Sequence, residues 1–382
     1  ICRTRNQRLI KYSYSMSINH NKWMNFAILQ ALRSKGATKK NPPVGCVIVK
    51  NDILLSYGRT GLSGRPHAEE DAINKVIDKK TLVGSTMYVT LEPCAHKNLS
   101  GISCAEKICN HGIKEIYVSC IDPDPRTNKK GIKILKKKNI KVHENFMNCK
   151  TLTLYNGFFS RILKKKPYIT LKIACSLDGK IALKNNKSKW ITNELSRSYS
   201  HFLRSQNDAI MTSSATILND NPRMDCRLNG LEQRSPSKII LDRYLKVSSN
   251  YKIYKSSPSN DIFLYSLSDM KNHLTENKLI RKIKIDSKLN DEDFFNFIFN
   301  DLAKRGVNNL LIETGSIINT LLLSLNLVDE IVIFRSGKII GNDGLSFVNN
   351  LNLREIKELT NYKISYLRSF QDDILEVRNI SK

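Results

Sequence analysis

The chain has 382 residues, a net charge of +27 and 41% hydrophobic residues, which allows two or three domains with their own cores. It contains no run of about 18 apolar residues, so we expect neither a transmembrane helix nor a membrane partner. The positive charge is spread along the whole chain together with many Lys, Asn and Ile residues. This pattern favours a compositional bias over a nucleic-acid partner, and a phosphate-bearing small substrate is the second explanation of the charge.

The cysteine pattern and the N-terminus bear on the compartment. Nine cysteines without the paired spacing of a disulfide scaffold indicate a reducing environment, so we expect a cytoplasmic protein. Residues 1–20 are expected to form an N-terminal extension, rich in Arg, Lys, Ser and Tyr as transit peptides are. Because Met16 stands just before the first helical pattern, an upstream extension or a cloning boundary is favoured over a targeting signal.

Hydrophobic periodicity in the first half predicts alternating strands and helices. Apolar residues at helical spacing after Asn21 predict a first helix, and Asn41-Pro42-Pro43 ends it. The predicted helices are 21–35, 67–77, 104–110 and 129–138, and the predicted strands are 44–49, 53–57, 86–91 and 115–120. This alternation is typical of a three-layer α/β/α domain, which we place at residues 21–163.

The second half begins at a predicted linker, Lys164-Lys165-Lys166-Pro167. Predicted strands follow at 168–174, 209–212, 238–241, 262–265, 309–312 and 330–334, with a further strand near the C-terminus. The turn at Gly315 leads into a predicted helix at 316–324, and such a turn can hold a phosphate at the helix N-terminus. We therefore expect a second α/β domain at residues 164–382.

One cluster of residues indicates a metal site. His67, Cys94 and Cys104 are ligands that suit tetrahedral Zn²⁺ with a fourth position left for water. Glu69 stands two residues from the histidine, where it can carry protons for that water without being a ligand. The pattern H-x-E followed by P-C and a later C is the signature of zinc-dependent base deaminases. We expect His67 and Glu69 in the first turn of one helix and Cys104 at the start of another, so that both helix N-termini help to ionise the thiols.

Weaker ligand candidates are Cys109, Cys120 and His96. The two cysteines of the pattern enclose nine residues, more than in most deaminases of nucleic acids and nucleosides. In this spacing, and in residues 41–49, 88–96 and 122–125, the sequence resembles the bifunctional riboflavin-biosynthesis deaminase/reductase family, and the likeness runs almost from end to end.

The resemblance implies the fold and both activities. It implies a cytidine-deaminase-like first domain that deaminates diaminohydroxyphosphoribosylaminopyrimidine, with His67, Cys94 and Cys104 as zinc ligands and Glu69 as proton carrier. It implies that Asn41 contacts the pyrimidine. The second domain is expected to resemble dihydrofolate reductase and to reduce the ribosyl group of 5-amino-6-(5-phosphoribosylamino)uracil to ribityl with NADPH.

The resemblance also assigns residues in the second domain. The implied substrate contacts are Ser188, Arg204, Met224, Arg227 and Glu313, and the two arginines are expected to hold the ribose phosphate. The implied NADPH contacts are Ala174, Trp190, Thr216, Asp220, Gly315, Ser316 and Ile317. A homodimer or higher homo-oligomer built through this domain is expected.

The sequence departs from the family pattern at several points. The segment 98–103 before Cys104 is one residue longer than usual, Asn221 replaces an aspartate, and Ser316 replaces a proline. Two alternatives therefore stay open: a deaminase acting on tRNA or another nucleic acid, which the charge favours, and a zinc-stabilised remnant in which one half only supports the other.

Overall fold

The structure, a computed structural model, describes residues 19–96, 101–256, 261–268, 280–358 and 360–380. The predicted N-terminal extension lies outside these residues except for 19–20, and so does the first part of the unusual loop at 98–103. In the part of the chain that is described, no helix has the length and apolar character needed to cross a membrane.

The first half folds around a five-stranded sheet of order β2-β1-β3-β4-β5, in which β3, β4 and β5 run parallel. Its strands are β1 (Gly45–Lys50), β2 (Ile53–Arg59), β3 (Thr86–Leu91), β4 (Glu115–Cys120) and β5 (Lys141–His143). Its helices are α1 (His20–Ser34), α2 (Ala68–Lys75), α3 (Cys104–Cys109) and α4 (Lys130–Lys137).

Alternation along the strands divides this half into three layers. In β1, Val47 and Val49 pack with α1 on one face of the sheet, whereas Cys46 and Ile48 pack with α2 and α3 on the other. Successive side chains of a strand point to opposite faces, so a strand buried on both faces reads as a continuous apolar run. The three-layer prediction is confirmed.

The second half contains a nine-stranded sheet of order β11-β10-β9-β8-β12-β6-β13-β16-β15, parallel up to β13. Before it come two short helices, α5 (Asn148–Thr151) and α6 (Asn156–Phe159), and the helical turn Ser160–Lys164. The strands are β6 (Tyr168–Cys175), β7 (Lys180–Leu183), β8 (Ala209–Ser213), β9 (Ser237–Leu241), β10 (Ile262–Ser266), β11 (Ile280–Lys284), β12 (Asn309–Ile312), β13 (Glu330–Arg335), β14 (Gly344–Ser346), β15 (Tyr362–Phe370) and β16 (Asp373–Ile380), of which β7 and β14 form a separate pair.

Helices cover both faces of this sheet. They are α7 (Glu194–Ser205), α8 (Ser214–Asp220), α9 (Lys252–Lys255), α10 (Asp291–Lys304) and α11 (Ser316–Ser324). One core cluster holds the apolar face of α10 against β6, β8, β9 and β12, and another packs α8 and α9 on the opposite face. Both α7 and α10 begin at an asparagine whose side chain accepts an amide N–H of the first turn, which stabilises a helix start.

Two predicted details differ from the structure. Helix α2 begins at Ala68 and His67 is its N-cap, because His67 after Pro66 has an extended backbone with ψ of 156°. Only Glu69 therefore lies in the first turn. The predicted linker at 164–167 is shorter than expected, since Lys164 ends a helical turn and β6 begins at Tyr168.

Candidate functional site

The three predicted metal ligands converge at one edge of the first sheet. His67 caps α2, Cys94 follows the end of β3, and Cys104 opens α3. Their ligand atoms all lie within 4.8 Å of one another, and His67 Nδ1 is 3.3 Å from Cys104 Sγ and 3.6 Å from Cys94 Sγ. One imidazole nitrogen and two thiol sulfurs at this separation fit a tetrahedral Zn²⁺ with one position left for another ligand.

The surroundings favour an ionised sulfur at Cys94, whereas the hydrogen bond with Cys94 and burial raise the pKa of the Cys104 thiol. Hydrogen bonds from the Cys104 thiol and from His67 lower the pKa of Cys94 to about 4, against the effect of burial. The backbone N–H of Cys104, in the first turn of α3, also donates to Cys94 Sγ over 3.4 Å. A thiolate is the form of cysteine that binds metals, and a helix N-terminus stabilises it.

Glu69 is the predicted proton carrier of this site. It lies in the first turn of α2 and is 4% exposed. Burial raises the pKa of Glu69 to about 7, with His67 opposing the shift. A carboxyl group with a pKa near neutrality can both accept and release a proton at working pH. The role of Glu69 as a proton carrier stays a prediction.

The weaker candidates lie elsewhere. Among the described residues, the one group of three or more possible ligands consists of His67, Cys94 and Cys104. Cys120 Sγ instead pairs with Thr151 Oγ1 at 2.9 Å, and His96 Nδ1 lies 3.4 Å from Thr127 Oγ1.

Glu92, which sequence reasoning passed over, supports the turn that carries Cys94. It is 3% exposed, and its carboxylate accepts backbone N–H bonds from Asp122, Lys129 and Ile132. These bonds join the end of β3 to the second residue after β4 and to the start of α4. The available signal was its position at the end of a buried strand, directly before Pro93-Cys94. An acidic residue buried at such a place must accept hydrogen bonds from neighbouring donors.

Asn41 stands close to the metal-site turn. Its Nδ2 donates to Gly64 O over 2.9 Å, and its own carbonyl accepts from Thr38 Oγ1 over 2.7 Å. Gly64 belongs to the turn 61–66, which leads directly into His67. Part of the amide group is thus used to attach residue 41 to this turn.

The second half contains a cleft of about 1050 Å³. It opens at the carboxyl ends of β6, β8, β9 and β12, which is where ligands bind in open parallel sheets. The lining includes every residue predicted for the second domain, namely Ala174, Ser188, Trp190, Arg204, Thr216, Asp220, Met224, Arg227, Glu313, Gly315, Ser316 and Ile317. The structure therefore brings together residues spread over more than 140 positions of the chain.

A buried ion cluster forms the floor of this cleft. Arg204 binds Glu313 through two hydrogen bonds, Nε to Oε1 at 2.8 Å and Nη2 to Oε2 at 2.9 Å. Lys172 Nζ lies 3.8 Å from Glu313 Oε2. Burial alone would raise the pKa of Glu313, but Arg204 and Lys172 hold it at about 2. Lys172 escaped the sequence prediction because a lysine within a strand usually marks a solvent-facing position.

The two arginines predicted to hold phosphate are in different situations. The guanidinium of Arg204 is occupied by Glu313 and by the carbonyl of Asp225, at 3.1 Å from Nη1. Among the described residues, the Arg227 side chain donates through Nη1 to Asp225 Oδ1 over 2.8 Å and to no other acceptor, and it is 45% exposed. Arg227 is therefore the better placed of the two to bind an entering phosphate.

The part of the cleft formed by Gly315 and the start of α11 suits a nucleotide. Gly315 is the N-cap of α11 without a side-chain cap, and a Cβ there would meet nothing within 4 Å. Gly315, Ser316 and Ile317 at the start of α11 line the cleft, and a helix N-terminus in such a place can bind a phosphate. Trp190 is 63% exposed and lies 4.4 Å from the Arg197 guanidinium, while Ser188 Oγ donates to Asp220 Oδ1 over 3.0 Å.

Comparison with known proteins gives consistent matches in both halves. Residues 17–120 match the cytidine and deoxycytidylate deaminase zinc-binding region, and residues 167–375 match the RibD C-terminal domain. The chain is 32% identical over 375 residues to the riboflavin biosynthesis protein RibD of Buchnera aphidicola subsp. Baizongia pistaciae, covering 94% of this chain and 99% of that protein. It is 30% identical over 363 residues to RibD of Escherichia coli K12, covering 92% and 97%.

Solved structures agree over the same length. A form of Acinetobacter baumannii RibD superposes with a TM-score of 0.85 at 28% identity, covering 94% of this chain and 98% of that one. A Thermotoga maritima diaminohydroxyphosphoribosylaminopyrimidine deaminase/5-amino-6-(5-phosphoribosylamino)uracil reductase gives a TM-score of 0.84, also at 28% identity and with coverage of 94% and 98%.

Proposed function

This chain belongs to the RibD family, and from that membership we propose how its own residues carry out the two reactions. It is a bifunctional enzyme of riboflavin biosynthesis, with a zinc-dependent deaminase half and an NADPH-dependent reductase half. The first half removes an amino group from diaminohydroxyphosphoribosylaminopyrimidine by hydrolysis. The second half reduces the ribosyl group of the resulting aminouracil to ribityl.

The observation that carries the deaminase assignment is the convergence of His67, Cys94 and Cys104 beside a buried Glu69. Zinc held by these ligands supplies, when bound, a Lewis acid that makes water nucleophilic near neutral pH. Glu69 accepts one proton of the attacking water and passes it to the ring nitrogen, and it then carries the second water proton to the amino group, which leaves as ammonia. Asn41, which is attached to the turn before His67, orients the pyrimidine.

The reductase assignment is supported by the cleft. The free amides at Gly315 and the start of α11 bind the phosphates of NADPH, which supplies the hydride when bound. On the substrate side, Arg227 holds the ribose phosphate, and Glu313 is held in place by Arg204 to accept hydrogen bonds from substrate. The reduction also adds a proton to oxygen. Lys172 lines the cleft, and because burial lowers its pKa it is the candidate donor.

Two glutamate variants test these assignments together. Glu69→Gln should abolish ammonia release and leave both the zinc content and the reduction of supplied aminouracil ribotide unchanged. Glu313→Gln should lose the reduction and keep ammonia release. If Glu69→Gln still releases ammonia at the wild-type rate, its role as proton carrier is wrong. If Glu69→Gln lowers only stability and no activity is lost, the alternative of a zinc-stabilised remnant is favoured.

Nucleic-acid deamination is the weaker candidate. The net charge of +27 is the one feature that favours it. The match of residues 167–375 to the RibD C-terminal domain gives the second half a role in the same small-molecule pathway. Salt-sensitive binding of RNA followed by base deamination would be needed to restore this alternative.

Assembly as a homodimer or higher homo-oligomer is part of the proposal. Strand β15 lies at the edge of the nine-stranded sheet, and Ile364, Tyr366 and Leu367 are 54%, 44% and 59% exposed there. An apolar edge strand is a surface that a second copy can cover. Leu367→Lys should lower the mass measured by light scattering, and an unchanged oligomer would exclude this edge.

A cytoplasmic location is proposed too, because the eight cysteines of the described residues are all free thiols.

A further inference from the structure

The segment 35–41 lies between the two halves of the molecule. It connects α1 to β1 and ends at Asn41. On the deaminase side, Ala37 O accepts from Ser63 N over 2.8 Å, and Asn41 Nδ2 donates to Gly64 O over 2.9 Å. Both contacts attach the segment to the turn 61–66 that leads to His67, so its position determines where Asn41 stands relative to the metal ligands.

On its other side, the segment rests on residues of the reductase half. Asn308 Nδ2 donates to Lys39 O over 3.0 Å, and Arg234 Nη1 donates to Lys35 O over 3.4 Å. Arg161, in the helical turn that joins the halves, donates from Nη2 to Lys40 O over 2.8 Å and from Nε to Asn308 Oδ1 over 2.6 Å. Three carbonyls of one short segment thus receive side-chain donors from outside the deaminase sheet.

Asn308 is itself rigidly held. Its side chain is 3% exposed, and its backbone N–H donates to Asp208 Oδ2 over 2.9 Å. The same carboxylate oxygen accepts the N–H of Asn309 over 2.8 Å, so this turn before β12 is fixed to Asp208, directly before β8. A donor on such a turn can define the position of the carbonyl that it binds.

Close backbone contact supports the same attachment at the other end of the segment. Gly36 has a φ of +79°, and a Cβ there would overlap the carbonyl oxygen of Ser205, at the last residue of α7. Ser205 is adjacent to Arg204 of the reductase cleft. The segment is thus seated on α7 at one end and on the Asn308 turn at the other.

We propose that Asn308, a residue of the reductase half, is a positioning residue of the deaminase site, and that it acts by holding Lys39 O and thereby Asn41. This inference rests on the proposed role of Asn41 as a pyrimidine contact. Asn308 touches neither substrate nor metal. Its loss should weaken productive substrate binding at the first site while leaving the metal ligands and the second site as they are.

The test compares Asn308→Ala with Asn300→Ala in the full-length, zinc-loaded enzyme. Asn300 is an exposed residue of α10 in the same half and serves as the matched control. Asn308→Ala removes two hydrogen bonds, the one to Lys39 O and the one from Arg161 Nε, and should lower deaminase kcat/KM by at least roughly threefold, mostly through KM. Zinc content and the rate of reduction of supplied aminouracil ribotide should stay at wild-type values, which also shows that the variant is folded.

A second pair of variants approaches the segment independently. Gly36→Ala places a methyl group against Ser205, whereas Gly84→Ala has a similar φ of +77° but meets nothing within 4 Å. Backbone strain is therefore common to both, and contact with the reductase half is specific to Gly36. We expect the loss of deaminase kcat/KM in Gly36→Ala to exceed that in Gly84→Ala.

The deciding experiment is a double-mutant cycle of Asn308→Ala with Asn41→Ala. The two changes should be non-additive in deaminase KM, because Asn308 acts through the residue that the second change removes. Additive effects, or an Asn308→Ala enzyme equal to Asn300→Ala, would overturn the inference. An Asn41→Ala enzyme with wild-type KM would overturn it too, together with the proposed pyrimidine contact. A failure of the proposed function as a whole would look different, since the wild-type enzyme would then release no ammonia.

Discussion

The ion cluster at Glu313 allows a quantitative prediction. Its carboxylate accepts two hydrogen bonds from Arg204 and faces Lys172, and its pKa is held at about 2 instead of the usual 4.5. At about 1.4 kcal/mol per pKa unit, this corresponds to roughly 3 kcal/mol of folding free energy at neutral pH. Removing one partner of a buried ion pair costs about 3–5 kcal/mol, so the two approaches agree. Glu313→Gln should therefore lower the free energy of unfolding by roughly 3 kcal/mol at neutral pH.

The dependence on pH has a definite sign. A carboxyl group whose pKa is lowered on folding adds stability that is fully present above its unfolded pKa of about 4.5 and is lost as the pH falls toward 2. The difference in stability between wild type and Glu313→Gln should therefore be constant from pH 7 to pH 5. At pH 3 it should shrink to roughly 1.4 kcal/mol, because only one pKa unit then separates the pH from the folded pKa.

Scanning calorimetry can measure this difference. For a domain of this size, about 3 kcal/mol lowers the midpoint of the reductase transition by roughly 6–12 °C at pH 7. Glu194→Gln is the control, because Glu194 is exposed in the first turn of the same helix α7 and its charge contributes less than about 1 kcal/mol. Equal midpoints for wild type and Glu313→Gln at pH 7, or a gap that grows as the pH falls, would refute the reasoning.

The remaining predictions concern the metal site and the phosphate site. Cys104→Ser should remove bound zinc, as measured by metal analysis of the dialysed protein, because it takes away one of three converging ligands. Cys109→Ser should keep the zinc, and the reverse pattern would show that the ligand set is wrong. Arg227→Ala should raise the reductase KM for the ribotide by an amount equivalent to roughly 1.5–3 kcal/mol, the value of a charge-assisted hydrogen bond. An unchanged KM in steady-state kinetics would argue against phosphate binding by Arg227.

Much of the first half could be predicted because its signals are local. The strands predicted at 86–91 and 115–120 coincide with β3 and β4, since both are buried on two faces and read as apolar runs. His67 and Cys104 stand at the starts of two predicted helices, and Cys94 follows the end of a predicted strand. In an α/β domain, the starts of helices lie near the carboxyl ends of the strands. The sequence therefore predicted their convergence, although it placed His67 inside the helix that it caps.

The interior of the second half could not be read in the same way. Arg204 and Glu313 are 109 positions apart, and a lone arginine on a helix is usually a surface residue. Lys172 carried no sequence signal of its own, because a lysine within a strand usually faces solvent. Helix α10 was missed although Asn290 and the apolar spacing after it carried a clear signal. The contact of Asn308 with Lys39 joins residues 269 positions apart, and only the packed structure reveals it.

The central claim is that one chain performs both steps in sequence. The most direct test is to incubate the zinc-loaded enzyme with the diaminopyrimidine ribotide and NADPH and to identify the products by mass spectrometry. We predict a product that carries both the exchange of an amino group for oxygen and the addition of two hydrogens, with ammonia and NADP⁺ formed in equal amounts. Recovery of unchanged ribotide, or of a product that carries only one of the two changes, would contradict this account.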